Sequence, residues 1–207
     1  MRLTRSSLAA VLPSLAAVAI GALPLLASAH TGVDGAAHHD TGFMQGFLHP
    51  FTGIDHLAAM VAVGLWSALV ARSGRATLWA PLGFAAMLLA GALLGMAGVQ
   101  VPGVEPMIAA SLLVIGLLVV TRLRLPGPVA AAVVGAFAVF HGVAHGHELA
   151  GEHGAAAAIA GMVAATAMLH AAGVAIGWTL RQRGAWLPRV AGAAVALFGA
   201  ALLTQLA

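Results

Sequence analysis

Cysteine is absent from this 207-residue chain, which excludes disulfide frameworks and thiolate metal sites. Imidazole, carboxylate and thioether are left as the side chains able to hold a metal. Lysine is absent as well, and charged residues make up only 7% of the sequence. The isoelectric point near 11.5 is therefore carried by a few arginines that form no basic stripe, which removes the nucleic-acid-binding reading. There is no nucleotide-binding motif, so direct coupling to ATP would need another subunit. What the chain has in excess is apolar surface, with 61% hydrophobic residues and a mean hydropathy of +1.01. A soluble domain of this size cannot hide that much, so lipid must serve as solvent.

Residues 1–29 read as a cleavable secretory signal. Arg2 and Arg5 form its basic start, an apolar run covers Leu8 to Leu26, and Ala27-Ser28-Ala29 supplies the small-x-small pattern. Cleavage leaves His30 at the new N-terminus; an uncleaved first span is the alternative. Residues 30–48 read as a polar, histidine-rich segment holding His30, His38 and His39 beside Asp34 and Asp40. Residues 49–207 read as the transmembrane domain. Apolar runs recur there at 54–71, 78–98, 105–121, 127–145, 155–180 and 186–206, each near the roughly 20 residues a helix needs to cross hydrocarbon. The expected fold class is an all-α membrane protein, a bundle of about six transmembrane helices.

Positive charge sets the direction of these spans. Arg72 and Arg75, Arg122 and Arg124, and Arg181, Arg183 and Arg189 fall in alternate gaps, which places those gaps in the cytoplasm. The opposite gaps at 99–104 and 146–154 hold no arginine but carry His147, Glu148, Glu152 and His153. The expected location is the bacterial inner membrane, with the mature N-terminus, the histidines and the C-terminus periplasmic. Small residues pervade the spans, as in GALLGMAG at 91–98, so helices can approach closely in a tight bundle or a small homo-oligomer.

Two segments carry the chemistry. HPFTGIDH at 49–56 places His49, Asp55 and His56 around a Pro-Gly interruption, a backbone form tolerated at membrane depth only where protein or water lines it. Thr52-Gly53-Ile54-Asp55 also matches a helix capping box, so Asp55 has a purely structural alternative. FHGVAHGHE at 140–148 spaces His141, His145 and Glu148 at i, i+4 and i+7, which stacks them on one helix face. His147 falls off that face. Glu105 stands just before Pro106 at a span start, where capping and ligation are equally open. His170 lies about 15 residues into the fifth span, roughly 22 Å at helical rise, and reads as a core histidine or a transit ligand. Imidazole with carboxylate suits nickel, cobalt, zinc or copper(II) better than copper(I).

HPFTGIDHLAAMVAVGLWSA and FHGVAHGHE resemble the two signature motifs of the HupE/UreJ family of membrane permeases. That resemblance implies uptake of nickel(II), with cobalt(II) as a further candidate, while the ligand chemistry leaves zinc(II) open. The ion is substrate, and no organic cofactor is implied. His49, Asp55, His56, His145 and Glu148 match the family's motif residues. Competing readings are an intramembrane metal-dependent enzyme of hydrolase or di-iron type, suggested by His141-xxx-His145, and a metal-binding accessory subunit that does not transport. HELAGEH at 147–153 matches neither HExxH nor HxxEH, so no enzyme is expected.

Overall fold

Apolar runs of near-membrane length, broken by glycine, proline and arginine, fold here into consecutive helices. A computed structural model of the chain describes residues 42–182, 184 and 186–206. The expected signal, His30, His38 and His39 lie outside the described residues. The helices are α1 (Phe43–Thr52), α2 (Ile54–Val70), α3 (Trp79–Met96), α4 (Val104–Thr121), α5 (Gly127–Glu148), α6 (Ala155–Arg181) and α7 (Trp186–Gln205), with a short 3-10 turn at Ala76–Leu78 before α3. No strand occurs among the described residues.

Helices α3 to α7 are each long and apolar enough to cross a membrane, giving 5 spans, or 6 if α1 and α2 count as one broken span. The fold is thus the all-helical multi-span bundle that the sequence implies. α1 is a helix that hydropathy alone did not single out. α5 also continues to Glu148, beyond the apolar run that ends at 145.

Three helix pairs build the bundle: α2 with α6, α3 with α5, and α4 with α7, while α1 packs on the start of α6. Each pair closes through glycine. A Cβ on Gly64 of α2 would overlap the His170 carbonyl of α6, and one on Gly142 of α5 would overlap the Leu88 carbonyl of α3. One on Gly116 of α4 would overlap the Ala196 backbone of α7. Lipid tails offer no hydrophobic drive between helices, so close backbone approach supplies the packing energy. α2 is the centre of the bundle, since its residues Ala59, Met60 and Ala62 to Leu69 are all buried. α7 buries only Pro188, Gly192, Ala196 and Gly199, so most of its surface is left to lipid.

Candidate metal centre

The break between α1 and α2 makes the site possible. Pro50 sits inside α1 and lacks the N–H that would continue the helical ladder. Gly53 then takes an extended conformation (φ −93°, ψ 115°), and the two helices meet at 87°. The capping box allowed by the sequence does not form. Gly53 itself is the N-cap of α2, with no side-chain cap, and the Thr52 hydroxyl donates to the His49 carbonyl at 2.7 Å. Asp55 therefore takes no part in a capping box and instead pairs with its neighbour, its Oδ1 lying 3.1 Å from His56 Nδ1. A Cβ at position 53 would come within 2.8 Å of that Asp55 oxygen and 3.1 Å of His56 Nδ1, so a side chain there would push the pair aside.

The bend folds α1 back over the end of α5, and the two motifs meet. His49 on α1 lies 4.7 Å from His145 on α5, ring centre to ring centre, with the rings perpendicular at 88°. His56 on α2 is also 4.7 Å from His145, and 5.0 Å from His141. The imidazoles therefore run as a chain, His49 to His145 to His56 to His141. Glu148, one turn beyond His145, stands at the open end with its side chain 47% exposed, whereas His141 is fully buried. One ligand atom each from His49, His145 and Glu148 fall within 4.8 Å of one another, close enough to hold a single ion.

Hydrogen bonding fixes which nitrogen each inner ring can offer. The Asp55 carboxylate can only accept, so His56 donates from Nδ1 and its lone pair lies on Nε2. The Ser111 hydroxyl of α4 gives its one proton to the Ile108 carbonyl at 2.6 Å. It must then accept from His141 Nε2 at 3.0 Å, which leaves the His141 lone pair on Nδ1. Those two bare nitrogens, His56 Nε2 and His141 Nδ1, are both buried and have no hydrogen-bond partner among the described residues. A hydrogen bond to one ring nitrogen that leaves the other bare is the arrangement that orients a histidine toward a metal. Two carboxylates, Asp55 and Glu148, beside neutral imidazoles would balance a divalent charge.

The other sequence candidates stand apart. Glu105 is exposed in the first turn of α4 and makes no contact with the cluster. His147 donates from Nε2 to the Val99 carbonyl at 2.9 Å, which ties the end of α5 to the loop before α4. His170 is buried deeper in the bundle and touches Phe84 rather than the cluster. Sequence reading missed two contributors, Ser111 and Phe84. Ser111 had a faint signal as the one hydroxyl midway along the apolar run at 105–121. Phe84 had none; its ring lies 5.8 Å from His141.

The comparisons agree with the motifs. A family profile described as HupE / UreJ protein matches residues 17–202. Protein HupE of Rhizobium leguminosarum bv. viciae is 44% identical over 184 residues, which cover 88% of this chain and 92% of that protein. No solved structure matches.

Proposed function

The chain belongs to the HupE/UreJ family, whose members are associated with nickel and cobalt transport for hydrogenase and urease, and on that premise we propose that it is a permease carrying nickel(II) inward across the bacterial inner membrane. The observation that supports this reading most is the convergence of His49, His56, His141 and His145 from three helices, with Asp55 and Glu148 beside them. A hydrated divalent ion gives up water only where replacement donors and negative charge await it. Glu148 and His49 meet it at the exposed end. His145 is shared, since it neighbours both His49 and His56, so the ion can exchange one imidazole for the next without ever lacking a ligand. His56 and His141 then take it on lone pairs already aimed inward.

Passage requires that each site bind well enough to capture and weakly enough to release. A chain of adjoining imidazoles meets that need better than one closed cage does. Nickel(II) is the favoured cargo from the family, and cobalt(II), its neighbour in the affinity order, is the expected competitor, ahead of zinc(II). The arginine gaps support a periplasmic position for the histidine end, since positive loops stay in the cytoplasm. The test is flux: the purified full chain in liposomes should take up labelled nickel(II) saturably, and cobalt(II) should compete. Nickel bound by the protein without any flux would instead make it a metal-binding accessory subunit.

A further inference from the structure

One buried donor lies beyond the capture cluster. His170 on α6 is 2% exposed, and its Nε2 has no hydrogen-bond partner among the described residues. Leaving a buried polar atom unpaired is unfavourable, and an aliphatic side chain would fill the same space without that cost. Its surroundings connect it to the cluster by two routes. Its ring stands edge-on to Phe84 at 5.2 Å, and the same Phe84 ring lies 5.8 Å from His141. Thr166, one turn earlier on α6, donates its hydroxyl to Met60 Sδ at 3.4 Å, and Met60 lies one turn beyond His56 on α2. Side chains on a helix lean toward its N-terminus, which for α6 is the histidine end of the bundle. His170 therefore leans back toward the cluster.

We infer that His170 is a second station for the divalent ion, receiving it from His56 and His141 and holding it through Nε2, with the Met60 thioether and the Thr166 hydroxyl in the adjoining turn. This rests on the permease reading and deepens it. The station differs from the cluster in kind. It offers one imidazole and no carboxylate, so it binds more weakly than the four rings and two carboxylates behind it, and a weaker inner site lets an ion move on. Gly64 brings the α2 backbone directly against the His170 carbonyl, so α2 and α6 pack closely at this level.

The test uses the full chain with cobalt(II) as the equilibrium binding probe and labelled nickel(II) as the flux probe. His170→Leu removes the donor and keeps apolar bulk, and His170→Gln keeps an oxygen donor. In detergent, His170→Leu should bind cobalt(II) within twofold of the unsubstituted chain and melt no lower, since no hydrogen bond is lost. In liposomes its nickel flux should fall at least tenfold, with His170→Gln falling less. Flux within twofold of the unsubstituted chain in His170→Leu overturns the station and leaves the capture cluster untouched. Loss of cobalt(II) binding in His170→Leu also overturns it, because His170 would then act through the cluster. If His170→Leu does not insert, His170→Gln carries the same test, and unchanged flux there overturns the station. An unsubstituted chain that neither binds nor transports defeats the permease reading itself, a result distinct from any of these.

Discussion

The two ends of the bundle spend their polar groups in opposite ways. At the histidine end, side chains hold one another in place and leave nitrogen lone pairs over, as Asp55 does for His56 and Ser111 for His141. At the arginine end, polar side chains are consumed in tying helices to loops. Trp66 Nε1 donates to the Leu123 carbonyl at 3.1 Å, and the Ser67 hydroxyl donates to the Thr77 carbonyl at 2.5 Å. A cavity of about 430 Å³ opens there, lined by Trp66, Ser67, Arg72 and Arg124 among others. Buried nitrogens of Arg122 are unpaired among the described residues, but a guanidinium only donates and is itself positive, so it offers a cation no ligand. One end thus brings imidazoles and carboxylates together, while among the described residues the other presents no histidine or carboxylate.

The largest effect expected from breaking this contrast is at Asp55. Asp55→Asn keeps the size of the side chain, removes a charge from the cluster and turns a pure acceptor into an amide. Nickel uptake should fall by about 100-fold with normal membrane insertion, the upper range for loss of a partner that orients a ligand. Insertion and uptake measured together check this; normal uptake would return Asp55 to a structural role.

Ser111→Ala should have a smaller effect. It leaves every cluster residue in place but frees His141 to put its proton on Nδ1, the nitrogen that must stay bare. Uptake should fall by about tenfold, and the affinity for nickel should fall with it. Titration of the purified variant checks the second half of that statement. At the arginine end, Arg124→Gln should change nickel affinity by less than about twofold, since a charge at the far end of a roughly 30 Å hydrocarbon core is well screened from the cluster. A large affinity change there would erase the distinction between the two ends.

The sequence displayed each half of the site, and the pairing of carboxylates with imidazoles led to the expectation that His49, Asp55 and His56 meet His141, His145 and Glu148. The structure sets the rings of the two halves side by side. His141, His145 and Glu148 were legible as one face because helical spacing is a local rule, and the structure places them on α5 as that rule requires. The spans were legible for the same reason, since arginine and glycine mark their limits. The pairing of α2 with α6 and of α3 with α5 was not, because it depends on which glycines face which backbone, and the spans are rich in both glycine and alanine. The role of Asp55 was open between a cap and a ligand partner. The turn of the Thr52 hydroxyl toward His49 removes the capping box, which the sequence TGID does not reveal. Ser111 gained meaning only when α4 brought it to His141, 30 residues away.

Nickel K-edge X-ray absorption on the purified, nickel-loaded chain tests the central claim most directly. The account predicts a first shell of nitrogen and oxygen only, with the outer-shell scattering of two or more imidazoles, and a loss of imidazole scattering in His145→Ala, which removes the ring shared by both parts of the cluster. A spectrum without imidazole scattering, or one unchanged in His145→Ala, would contradict it.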